Sequence, residues 1–192
     1  MLKLNLGCGA HRMEGWVNVD REAALGPDQV VDLERLPWPW ADDSVDEALL
    51  NHVLEHLGAT PGSFVGVMKE LWRVCRDGAR VQVNVPDPRH DDFLGDPTHV
   101  RPVTLDVLGL FSRRFNREAI AAGAPNTPLA LIHGIDFEVE EHVRVLDEPW
   151  RSRSATGELD AEAIEHAARH YTNVVREHRF RLVALKSGGG AA

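Results

Sequence analysis

No disulfide framework holds this chain together. Its 192 residues contain two cysteines, Cys8 between two glycines and Cys75 in an amphipathic stretch. Small secreted proteins show an even, regularly spaced set instead, so the reducing cytoplasm is the expected compartment. No apolar run approaches the ~18 residues of a membrane-spanning helix. Met1 leads straight into LKLNLG, with none of the basic, apolar and small-residue regions of a leader peptide. Excess positive charge is missing too. The formal net charge is −9, and so acidic a chain does not hold a nucleic-acid backbone by bulk electrostatics. Neither nucleic acid nor membrane is an expected partner, and there is no internal repeat.

What remains is ordinary globular material, 43% hydrophobic and 27% charged, outside the disordered regime. A chain of this length suits a single domain and buries roughly 70% of its unfolded surface.

LKLNL (2–6), WVNVD (16–20), DQVVDL (28–33) and VDEALLN (45–51) read as strands, the second ending on Asp20 and the third on Asp32. LPWPW (36–40) is neither helix nor central strand, because its prolines withhold backbone donors. Over 61–78, Phe64, Val65, Met68, Leu71, Trp72 and Cys75 recur at three-four spacing between Pro61 and a Gly78 stop, which predicts a helix. ARVQVNVP (79–86) is a fifth strand. This rhythm gives an α/β fold with a mainly parallel sheet covered on both faces. Short helices follow near 103–111 and 116–122, and two period-two stretches, 135–148 and 173–185, read as an antiparallel C-terminal pair around a helix at 159–170. The expected organisation is one domain over 1–187, with substrate-side loops and short helices at 87–134 and a helical insertion at 149–172. Residues 188–192 are expected to be a flexible tail.

NLGCGAH places Gly7 and Gly9 directly after the first strand, where the missing Cβ permits a tight turn and close ligand approach. Asp20 and Asp32 follow at later strand ends, suited to a ribose diol and an exocyclic amine. In open α/β sheets, ligands bind beyond the carboxyl ends of the strands. The ordered set therefore marks a nucleoside site.

In their order, LNLGCG, GWVNVD, VVDLERLPWPWADDSVDEALLNHVLEHL and ELWRVCRDGARVQVNVPD resemble the core of the class I S-adenosylmethionine-dependent methyltransferases, over residues 2–87. The resemblance implies a Rossmann-like fold and S-adenosylmethionine as cofactor. It places Asn5, Gly7 and Gly9 at the methionine part, Asp20 on the ribose, Asp32 and the Leu33 backbone on adenine, and Asn51–His52 along the methyl-transfer face. The chain departs from the pattern in three ways. Asn5 stands where an acid is usual, His11 replaces a third glycine, and only residues 10–19 separate Gly9 from Asp20. That is short of a helical crossover, so the first helix is expected to be a stub or loop, with Arg12 near the cofactor carboxylate. The short crossover also disfavours a NAD-binding domain, which seats its pyrophosphate on a helix N-terminus.

His52-x-x-Glu55-His56 spells the signature of a class of zinc peptidases. Gly58 and Pro61 leave too little helix for that, so a metal-dependent hydrolase is the remote alternative. In the plain reading, Val53, Leu54 and Leu57 pack the segment, His56 is a core histidine and Glu55 a capping or surface acid. The sharper reading puts His52, Glu55 and His56 on one helical face. Similar E-x-x-E-H segments in ubiquinone-pathway O-methyltransferases and small-RNA 2′-O-methyltransferases hold a divalent metal. With His52 in place of the first acid, Zn²⁺ or Mn²⁺ would suit better than Mg²⁺, and His90 could complete the set. The expectation is a site without metal ligands, a divalent ion being the less favoured addition.

DPRHDDFLGDPTHVRP (87–102) supplies His90, Asp96 and His99 as candidate substrate contacts. Trp38, Trp40 and Trp150 read as packing more than as a stacking surface. Transfer to oxygen needs a base, and His52 and His90 are the candidates. The acceptor is expected to be a small molecule or glycan, and the alternative function is a cofactor-binding module without catalysis.

Overall fold

The computed structural model describes residues 1–186, so the tail expected at 188–192 lies outside the described residues. Seven strands form one sheet: β1 (Lys3–Leu6), β2 (Val17–Asp20), β3 (Gln29–Val30), β4 (Val45–Asn51), β5 (Cys75–Pro86), β6 (Phe137–Leu146) and β7 (Val175–Ala184). Their order is β3-β2-β1-β4-β5-β7-β6. The first five run parallel, and β7 lies antiparallel between β5 and β6. The Rossmann-like sheet and its antiparallel C-terminal pair are as expected. The order reverses between β1 and β4, and the carboxyl ends of β1, β2, β3 and β4 meet along one edge, where such sheets take ligands.

Among the described residues, seven α-helices accompany the sheet: α1 (Pro61–Val74), α2 (Asp91–Leu94), α3 (Leu105–Gly109), α4 (Arg113–Ala121), α5 (Leu129–His133), α6 (Trp150–Ala155) and α7 (Ala161–His170). None is long and apolar enough to cross a membrane. α1 is capped reciprocally: Thr60 Oγ1 accepts from the Ser63 amide, and Ser63 Oγ accepts from the Thr60 amide. Its Phe64, Val67, Met68, Leu71 and Val74 are buried with Leu4, Leu6 and Leu50 of the central strands in one core.

α1 ends four residues before the expected stop. Cys75 is already extended and pairs with Val45, so the helix runs straight into β5. Gly78 is not a helix stop. At φ +73 it sits in a bulge, where the register jumps from Val45↔Cys75 to Glu47↔Arg80. The third strand is also shorter than expected, because Asp32 has left the sheet to accept the Glu34 amide in a turn.

No helix forms between β1 and β2. A buried amide network braces the short crossover instead. Asn5 Nδ2 donates to the His11 carbonyl and to Asn18 Oδ1, and Asn18 Oδ1 also accepts from the Met13 amide. Asn18 Nδ2 donates to Asp28, whose carboxyl is held below its ordinary range chiefly by the Asn18 backbone amide. Arg12 pairs with Asp28 and the Gly26 carbonyl, not with the edge expected to hold a cofactor carboxylate. LPWPW is neither helix nor strand, and Arg73 of α1 pins it through the carbonyls of Trp38 and Trp40. Trp38 and Trp40 are buried edge to face, and Trp150 stacks on Tyr171. All three pack.

Candidate active site

A cavity of about 500 Å³ opens at the carboxyl edge of β1 to β4, within the usual size of a small-molecule site. Gly7, Asp20, Asp32, Leu33 and His52 line it, together with Val53, His56, Thr98 and Val100. Gly7 takes φ +66 over the Val53 side chain, so the turn after β1 rests directly on the segment after β4. Asp20 Oδ2 accepts from the Gly9 amide at 2.8 Å and Oδ1 from the Glu22 amide at 2.9 Å. Each oxygen has a second lone pair, and the carboxylate is held rigidly at the wall. Asp32 is held likewise, by the Glu34 amide at 3.0 Å and Arg35 at 3.3 Å.

The remaining expected cofactor residues divide. Gly9, Asn5 and Asn51 line a second cavity of about 440 Å³ that shares Gly7 and His52 with the first. Asn5 is buried, with its amide hydrogens committed to the brace, and Asn51 Oδ1 accepts from Asn84 Nδ2 at 2.8 Å. Asn5 therefore shapes the glycine turn from beneath.

His52 is the junction of the site. It takes φ +55 directly after β4 and lines both these cavities and a third, of about 350 Å³, next to Asp147, Arg151, Arg176, Glu177 and Arg179. Its Nε2 lies 2.7 Å from Glu177 Oε2 and its Nδ1 3.4 Å from Glu55 Oε1. The Glu55 contact, opposed by burial and reinforced by Glu177, holds the imidazole above its ordinary range. Every arginine of the third cavity is paired: Arg176 with Asp92, Arg179 with Glu177, and Arg151 with Glu148.

The His-x-x-Glu-His reading needs correction. Only a single 3-10 turn, Leu54–His56, forms here, and His52 stands outside it. The three residues therefore share no helical face: His52 turns to Glu177, while His56 meets Thr98 and the ring of His99. Glu55 is neither cap nor surface acid but fully buried. His90 joins no such cluster. It is 5% exposed, caps α2 by accepting from the Asp92 amide at Nδ1, and meets Asp147 at Nε2. Both its ring nitrogens are engaged, and it lines none of these cavities.

Sequence reasoning missed Glu177, which reaches His52 from β7, and read Val53 as packing without its place beneath Gly7. Strand alternation marks neither as special. Thr98 and Val100 lie in the stretch singled out after β5 and were within reach of that signal.

No protein-family model matches the sequence, and no curated protein sequence does. Solved structures do match. A SAM dependent methyltransferase from Archaeoglobus fulgidus superposes with a TM-score of 0.56 at 16% identity, covering 94% of this chain and 85% of its own. A SAM-dependent methyltransferase from Methanosarcina mazei gives 0.55 at 13% identity, covering 95% and 92%. Geranyl diphosphate C-methyltransferase from Streptomyces coelicolor, solved with Mg²⁺, geranyl-S-thiolodiphosphate and S-adenosyl-L-homocysteine, gives 0.50 at 12% identity, covering 96% and 69%.

Proposed function

This chain has the fold of the class I S-adenosylmethionine-dependent methyltransferases, and we propose that it works as one, transferring a methyl group to the oxygen of a small-molecule or glycan-type acceptor. The observation that carries this is the 500 Å³ edge cavity, whose lining brings Asp20, Asp32 and His52 together. The residues fit the cofactor. Two fixed carboxylates with lone pairs to spare suit a ribose diol and an adenine amine, with Leu33 and Val31 as apolar flanks. When bound, the cofactor supplies a methyl group already activated on sulfur.

The chain's own task is to position the acceptor, exclude water and receive a proton. His52 stands between the cofactor cavity and the third cavity, with Glu177 orienting its ring through Nε2. It is the candidate base for the acceptor hydroxyl. The third cavity offers no unpaired arginine, which favours a neutral, hydroxyl-bearing acceptor over a phosphorylated one. The free thiols Cys8 and Cys75 fit a reducing, cytoplasmic setting. The braced, helix-free crossover favours the alternative, a cofactor-binding module without catalysis.

The test is a screen for transfer of labelled methyl groups into metabolite and glycan pools, then turnover on the acceptor found. His52→Ala is expected to keep cofactor affinity within a few-fold and to lower turnover by about 10²–10⁴-fold. Full turnover in that variant would refute the role of His52. Cofactor binding without any acceptor would favour the non-catalytic alternative.

A further inference from the structure

Glu55 is fully buried, and neither carboxylate oxygen has a hydrogen-bond partner among the described residues. No lysine or arginine among them pairs with it, and His52 touches it only at 3.4 Å. A buried carboxylate left in this state is strongly unfavourable unless something positive meets it.

Two imidazoles stand next to it. One ligand atom each from Glu55, His56 and His99 lies within 4.8 Å of the others. Hydrogen-bond direction fixes both tautomers. His99 Nδ1 sits 2.8 Å from the Phe93 carbonyl, which can only accept, so Nδ1 carries a proton and in the neutral ring Nε2, 3.9 Å from Asp96 Oδ2, keeps its lone pair. Thr98 Oγ1 donates to Asp96 Oδ1 at 2.6 Å, so at 2.9 Å from His56 Nδ1 it must accept there. His56 is thereby protonated at Nδ1, with Nε2 free. Outer bonds of this kind orient histidines that ligate metals. The loop is itself fixed, because the Val100 amide donates to the Glu55 carbonyl at 2.9 Å.

We propose that Glu55, His56 and His99 bind one divalent cation of the zinc and manganese class at the wall of the cavity that Asp20 and Asp32 line. Two imidazole nitrogens and one carboxylate suit such an ion, whereas Mg²⁺ and Ca²⁺ take oxygen shells. Three protein ligands leave a position open. His56 and Thr98 both line the cavity, so that position is available to an acceptor oxygen. This last point rests on the methyltransferase reading; the ion site does not. The set differs from the one the motif suggested, since His52 and His90 are replaced by His99.

The experiment measures metal content of tag-free, chelator-free protein, followed by titration of the EDTA-stripped protein with Zn²⁺, Mn²⁺ and Mg²⁺, with thermal melts throughout. Close to one equivalent of Zn²⁺ or Mn²⁺ is expected, with a raised Tm and weak response to Mg²⁺. Glu55→Gln and His99→Gln are expected to abolish stoichiometric uptake, and Thr98→Val to weaken it about 10–100-fold. Absence of uptake by the wild type, or uptake by Glu55→Gln equal to it, would overturn the proposal. S-adenosylmethionine titrated separately into stripped protein distinguishes failure of the ion site from failure of the cofactor site.

Discussion

Gly7→Ala tests whether the turn after β1 and the segment after β4 form one rigid floor. Gly7 sits at φ +66, and a Cβ built there would meet Val53 Cγ2 at 2.5 Å and Cγ1 at 2.9 Å. The left-handed backbone costs a non-glycine residue about 1–2 kcal/mol. Forcing a buried valine aside adds about 1–3 kcal/mol, so Gly7→Ala is expected to lose about 2–5 kcal/mol in total. Val53→Ala alone removes two methyl groups and loses about 1–3 kcal/mol. In the double variant the clash is gone and only the backbone strain and the lost methyls remain. Its destabilisation is expected to fall short of the sum of the singles by about 1–3 kcal/mol. Urea unfolding of the four proteins, followed by circular dichroism, measures the cycle. Additivity within about 0.5 kcal/mol would refute the contact. Because both residues line the cavity, Gly7→Ala is also expected to weaken cofactor binding while the protein stays folded.

Two further outcomes follow from the packing. Arg73 donates to Glu70, Asp42 and the carbonyls of Trp38 and Trp40, a fork lysine cannot reproduce; Arg73→Lys is expected to lose about 1–3 kcal/mol by denaturant titration, and no loss would show the clamp to be idle. His142 is pushed down from 6.5 to about 4, first by burial and then by His178 and Arg144. Between these values the unfolded chain binds the proton and the folded one does not, so stability is full above pH 6.5 and falls as pH drops toward 4. Discounted for partial exposure, the loss is about 1–2 kcal/mol; His142→Phe should flatten that part of the pH–stability curve, and an unchanged slope would contradict the assignment.

The sheet was legible because hydrophobic alternation and glycine or proline punctuation are local signals. Elements failed where long-range contacts decide. Cys75 continues the helical spacing of α1, yet pairing with Val45 draws it into β5 and turns Gly78 from a stop into a bulge. The shortness of the first crossover could be read, but not the buried amide network of Asn5 and Asn18 that replaces its helix. At the site, Asp20, Asp32, Gly7 and His52 were singled out from their places at strand ends, and the fold sets all four around one cavity. The capping role of His90 was not legible, because a histidine two residues before Asp92 reads equally as a ligand or a cap, and the fold sets it at the start of α2. The His-x-x-Glu-His motif was misread for a related reason. Helical spacing assumes a helix, and one 3-10 turn with His52 at positive φ sends its histidines apart.

The most direct test of the central claim is calorimetric titration of S-adenosylmethionine and S-adenosylhomocysteine into the wild type, Asp20→Ala and Asp32→Ala. Saturable binding of both nucleosides to the wild type is expected, weakened at least about 10-fold by either variant, since each removes a charged hydrogen-bond acceptor of about 1.5–3 kcal/mol. No binding to the wild type, or affinities untouched in both folded variants, would contradict the account.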